Sequence, residues 1–178
     1  LEGPRLGLLC QGGGHATEMA NVFSKAGFRI PALTERSYER LLANFDIVGG
    51  SYRNPIEGGS LRTEEGMLEV LEILDDDENL DGIVQELPVS RLLRGRDDDM
   101  LLKNRLNTLC EFGLKAKKPY TIVIDPTIPE VDAALTKYVY EQLRSANIPG
   151  IYSFERTARA LQRAMEYQQN RARSISVG

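Results

Sequence analysis

Between Arg5 and Gly27 an unbroken apolar run, Leu6-Gly7-Leu8-Leu9-Cys10, meets Gln11-Gly12-Gly13-Gly14-His15 and then a segment with Met19, Val22, Phe23 and Ala26 at helical spacing. A strand without polar alternation is buried on both faces, which directs the chain towards a parallel sheet covered by helices. The glycines let the backbone turn sharply and bring bare N–H groups close to a ligand. The helix behind them points its positive end at the same spot. The turn therefore has two readings: an anion site, or a tight, ligand-free connection between a strand and its helix.

The unit recurs along the chain. The spacing predicts a first helix over His15 to Ala26, with Gly27 as its C-terminal glycine. Phe28 to Leu33 reads as a short, proline-limited strand, and Thr34 to Phe45 as a small helix carrying Tyr38, Leu41 and Leu42. Asp46 to Ser60 holds four glycines and one proline, a long loop of the kind that often carries function. Thr63 to Asp76 predicts a helix, and the acidic run Asp75-Asp76-Asp77-Glu78 after it reads as a solvated helix end. Gly82 to Leu87 is a buried strand, Val89 to Asp99 a polar loop, and Met100 to Lys117 a helix with basic residues near its end. Tyr120 to Ile124 is the clearest strand. Thr127-Ile128-Pro129-Glu130 has capping-box spacing for a helix reaching Asn147. Ile148 to Tyr152 is a last strand, Ser153 caps a final helix, and residues 172–178 read as a tail or linker after a domain spanning 1–171.

Five strand–helix units with crossovers long enough for helices predict an α/β, flavodoxin-like parallel sheet of order 2-1-3-4-5. Its ligand crevice lies where strands one and three diverge, and the glycine turn falls there. Gln11 and Glu86, at the ends of those two strands, face the crevice, together with Arg53 and Asn54 of the glycine-rich loop and Asp125 at the end of strand four. Arg53 is the favoured anion contact, while Asp125 reads either as a ligand contact or as a cap of the next helix. His15, the only histidine, reads as a phosphate carrier or as a helix-start donor or bystander.

Composition narrows the partners. A length of 178 residues with 42% hydrophobic content suits one soluble domain, and 26 acids against 22 bases, net −4, oppose nucleic acid or an acidic membrane. Cys10 and Cys110 lie inside predicted elements and read as buried reduced thiols. No metal-ligand spacing, signal peptide or apolar run of transmembrane length is visible, so a cytoplasmic location is expected.

The ordered set Arg5-Leu6-Gly7-Leu8-Leu9-Cys10-Gln11-Gly12-Gly13-Gly14, Gly27-Phe28-Arg29-Ile30-Pro31, Arg53-Asn54-Pro55-Ile56-Glu57, Leu80-Asp81-Gly82-Ile83-Val84, Lys118-Pro119 and Tyr152-Ser153-Phe154-Glu155-Arg156-Thr157 resembles the flavodoxin-like ligase domain of NDP-forming acyl-CoA synthetases, the superfamily of succinyl-CoA synthetase. The resemblance implies a part in acid + CoA + NTP ⇌ acyl-CoA + NDP + phosphate, through an acyl phosphate and a phosphohistidine. Gly12, Gly13, Gly14, His15 and Ala16 would be a helix end facing that phosphate. It further implies no tightly bound cofactor here, CoA, ATP or GTP and Mg used by the whole enzyme, and an oligomer with a sister flavodoxin-like or CoA-binding domain and an ATP-grasp domain or subunit. The family's phosphohistidine sits in a Gly-His-Ala-Gly or Ser-His-Thr-Gly loop of the sister domain, which this chain lacks, and Asn-Pro-Ile-Glu stands here for the usual Asn-Pro-Val-Asp. The alternative is a non-catalytic ligand- or partner-binding module of the same superfamily.

Overall fold

The computed structural model describes residues 1–44, 50–58, 63–89, 98–125 and 133–176. In chain order the elements are β1 (Leu6–Cys10), α1 (Gly13–Lys25), α2 (Glu35–Asn44), β2 (Ile56–Glu57), α3 (Glu64–Asp76), β3 (Gly82–Pro88), α4 (Asp98–Lys115), β4 (Tyr120–Asp125), α5 (Ala133–Ser145), β5 (Gly150–Tyr152) and α6 (Phe154–Ser176). The strands form one parallel sheet of order β2-β1-β3-β4-β5, the flavodoxin-like arrangement.

Strand period sorts the apolar residues onto two faces. Leu6, Leu8 and Cys10 of β1 pack with Val84 and Val123 against Met19 and Phe23 of α1 and Phe154 and Ala158 of α6. Leu9, Ile83, Leu87, Ile122 and Ile124 point the other way, onto Leu41, Leu71, Leu74, Leu106, Leu109 and Leu143 of α2 to α5. Because both faces are covered, β1 and β3 are buried at every position.

The sheet departs from the sequence expectation at its edge. Phe28 to Leu33 is not a strand: only Arg29 bridges Arg5, and the second strand is Ile56–Glu57, inside the presumed loop. The cause is Asn54. Its Oδ1 accepts the Leu8 N–H at 2.9 Å, and its Nδ2 donates to the carbonyls of Leu6 and Pro31, both at 2.9 Å. A side chain thus takes the β1 groups that an adjacent strand would use, and Pro31 has no N–H to offer in their place.

Helix ends differ as well. α1 starts at Gly13 rather than His15, so two glycines belong to the helix. Gly27 closes it at φ 90°, its N–H donating to the Ser24 carbonyl at 3.0 Å, as a C-terminal glycine does. α6 runs to Ser176, through most of the segment expected to be a tail. The acidic run is not simply solvated. Asp75 is buried and accepts the N–H groups of Lys117 and Lys118, while Asp77, 1% exposed, accepts those of Thr34 and Asn79. The carboxylates replace acceptors that the loops there lack. The Thr127–Glu130 capping box and residues 90–97 of the polar loop lie outside the described residues.

Candidate functional site at the switch point

β1 and β3 lie side by side, and the helices that follow them, α1 and α4, cover opposite faces, so a crevice opens at their carboxyl ends. Gly12 is the N-cap of α1, in extended backbone with φ −165°, and makes no side-chain cap. Gly27 is the one glycine with positive φ among the described residues, so the glycine triplet is not required by a left-handed turn. What the triplet provides is bare space. A Cβ on Gly13 would lie 3.4 Å from Glu57 Oε2, whereas one on Gly14 would meet nothing within 4 Å. The first turn of α1 carries no acidic residue of its own and no side-chain cap, so its positive dipole end stands at the crevice beside the Glu57 carboxylate.

His15 extends from that first turn onto Glu86. Its Nδ1 lies 2.5 Å from Glu86 Oε1, and Glu86 Oε2 accepts the Gln11 N–H at 2.9 Å. The Glu86 side chain is fully buried and that of His15 is 31% exposed, with its ring edge-on to Phe154 at 6.1 Å. An ionised carboxylate only accepts, so in this bond Nδ1 is the donor. The pair fixes the ring's orientation. That is the arrangement by which a buried carboxylate prepares an imidazole to take a proton or an electrophile.

Beneath the turn, Cys10 Sγ lies 3.5 Å from the Ile56 carbonyl. Burial, and then the charge of Glu86, push its thiol up to about 12. It is a core residue and no nucleophile at neutral pH.

The other sequence-derived residues are distributed unevenly. Gln11, Gly12, Gly13, Gly14, His15, Ala16 and Glu86 come together. Asn54 spends both of its amide N–H donors on backbone carbonyls and serves the sheet edge. Arg53 is exposed, with its guanidinium 5.6 Å from the Tyr38 ring centroid. Asp125 ends β4 opposite Pro88. Sequence reasoning missed Glu57, whose carboxylate reaches the glycines, and Arg105 of α4, 7% exposed, which lines a cleft with Gln11 and Glu86. Arg105 had a signal: it stands in phase with Leu102, Leu106 and Leu109, where a core residue is expected.

Roomier hollows lie away from the crevice, one of about 740 Å³ beside Asn147 to Gly150 and one of about 290 Å³ between α3 and α4. Among the described residues no cluster of His, Cys, Asp and Glu is placed to hold a metal ion, and no helix is long and apolar enough to cross a membrane.

No family model matches the sequence, and no curated protein matches it. Solved structures do. PH0766 from Pyrococcus horikoshii OT3 aligns with TM-score 0.73 and 17% identity over 94% of this chain and 36% of its own. A dinucleotide-forming acetyl-coenzyme A synthetase 1 of Ca. Korarchaeum cryptofilum aligns with TM-score 0.66 in its apo form and 0.67 in complex with phosphate and ADP, each at 20% identity and over 97% of this chain. The chain spans about a third of the length of these proteins (35% and 34% of the synthetase chain). At such identities the likeness establishes a shared fold: the chain folds like one part of a larger protein of this kind.

Proposed function

We propose that the chain is one domain of an NDP-forming acyl-CoA synthetase, holding the N-terminus of α1 against a phosphoryl group while partner domains bind CoA and the nucleotide. The observation that carries this reading is the uncapped first turn of α1, with no acidic residue of its own, at the switch point, with His15 oriented by buried Glu86. The fold-level likeness to an acetyl-coenzyme A synthetase supports it. Unpaired N–H groups and a helix dipole suit a dianionic phosphoryl group, whose transfer needs little from a protein beyond placement and charge stabilisation. CoA, ATP or GTP and Mg belong to the sister and ATP-grasp parts, in an oligomer.

The Glu86 bond favours a second reading, in which His15 itself takes the phosphoryl group. Nε2 would attack phosphorus, the bond from phosphorus to the leaving oxygen would break, and the Nδ1 proton would stay against Glu86.

One experiment separates them. The chain is incubated with γ-labelled ATP, Mg and partner ATP-grasp and CoA-binding subunits, and acid-labile label is followed on each polypeptide. The first reading expects label on a partner histidine that requires this chain and persists with His15→Asn. Label on this chain that disappears with His15→Asn establishes the second. Absence of acid-labile label with every partner refutes both.

A further inference from the structure

Of the arginines that hold a carboxylate, Arg5 and Arg105 do so differently. Arg5 grips Asp81 with two donors, Nε to Oδ2 at 3.0 Å and Nη2 to Oδ1 at 2.6 Å, as a structural ion pair should. Arg105 is far more buried, at 7% exposure, yet gives only Nε to Glu64, at 3.1 Å from Oε1. Glu64 Oε2 lies 3.0 Å from the same Nε but receives no directed hydrogen bond. Both Nη groups of Arg105 make no hydrogen bond among the described residues. A guanidinium cannot shed its proton, so the four Nη N–H donors, which no described residue accepts, keep their charge and reach solvent at the surface of an otherwise buried side chain.

Their position gives them a purpose. Arg105 shares a cleft with Gln11, Glu86 and Pro88, at the ends of β1 and β3, on the opposite side of the sheet from His15. The cleft's walls touch, so a ligand meets Arg105 at the mouth rather than inside. The crevice also carries Glu57 and Glu86, and a dianion beside two carboxylates is unfavourable without a nearby cation. We infer that Arg105 is the second anion contact of the switch point, its free Nη edge binding an oxygen of the same phosphoryl group that the α1 N-terminus faces, with Glu64 holding the guanidinium in place. The inference rests on the phosphate reading of the glycine turn.

The test is titration of the chain with inorganic phosphate, followed by 31P NMR, with acetate as a parallel arm. Arg105→Gln should weaken phosphate binding about tenfold or more, the usual effect of losing a charge-assisted fork. Glu64→Gln, whose amide oxygen can still accept from Nε and hold the guanidinium while the competing negative charge is gone, should tighten it severalfold. Acetate should bind more weakly than phosphate to every form. Phosphate affinities of both variants within twofold of the parent, or acetate binding equal to phosphate, overturn the inference. If Arg105→Gln loses its fold by circular dichroism, Glu64→Gln decides alone. A parent chain that binds no phosphate refutes the glycine-turn reading as well. Binding that is lost with Gly14→Asp but indifferent to Arg105 refutes only this inference.

Discussion

Replacing Gly14 by Asp should make the protein more stable and unable to bind phosphate. Gly14 is the second residue of α1, has helical rather than positive φ, and leaves open space where a Cβ would stand. Removing glycine's unfolded-state freedom at such a site adds roughly 0.4–1 kcal/mol. An acid in a first turn that has none adds about 0.3–1 kcal/mol through the helix dipole. Repulsion from Glu57 and Glu86 removes part of this, leaving a gain of about 1 kcal/mol, or roughly 2–4 °C in Tm for a chain of this size. The new carboxylate would stand where the proposed site places the phosphoryl oxygens. Like charges about 4 Å apart at an effective dielectric near 20 repel by about 4 kcal/mol, enough to lower affinity a hundredfold or more. Calorimetric melting and a phosphate titration read the two effects, and Gly14→Ala is the control, raising Tm while keeping the affinity. If Gly14→Asp binds phosphate as tightly as the parent, the N-terminus of α1 is not the anion site.

Other outcomes follow from the same contacts. Asn54→Ala should cost about 3 kcal/mol in denaturant unfolding, because the Leu8 N–H and the Leu6 and Pro31 carbonyls lose their partner together; a loss under about 1 kcal/mol would show that water replaces the amide. Tyr120→Phe should cost roughly 1–3 kcal/mol, since the buried Gln85 Oε1 that accepts the Tyr120 hydroxyl is left unpaired, and equal stability of the variant would contradict this. Stability should also fall as acid is added below about pH 4. The Arg5 hydrogen bonds hold the Asp81 carboxyl below its ordinary 3.8, and those of Lys117 and then Arg40 lower Asp76. Burial raises Asp77, but hydrogen bonds from Ser37, Thr34 and Asn79 outweigh it. Groups depressed in the fold contribute stability above their unfolded pKa and lose it as pH falls through the folded one. Asp81→Asn should therefore flatten the acid limb of a Tm–pH profile; an unchanged limb argues against the Arg5 pair. Cys10 should resist a thiol reagent at pH 8 until the protein unfolds, in keeping with a thiol pushed to about 12.

The strands that the sequence marks best are those buried on both faces. Leu6–Cys10, Gly82–Pro88 and Tyr120–Asp125 read as continuous apolar runs because no position faces water. β2 is only two residues long, and its place is set by Asn54 binding groups some 46 and 48 residues earlier, which no local pattern records. The site shows the same division. The glycine turn and Glu86 each stood out at a strand end, yet their meeting joins residues 71 apart and depends on the adjacency of β1 and β3. Arg105 hid in a helical repeat of leucines, where a charge in core phase was the only sign.

Asn54 has one more consequence. An edge strand with free N–H and C=O groups is a template for a second molecule, and β2 is too short to shield the whole of β1. Asn54 covers the uncovered stretch of β1 with an amide too small to propagate pairing. The protein thereby protects itself from strand-by-strand association with one residue, and loss of that residue would expose a self-adhesive border as well as weaken the fold.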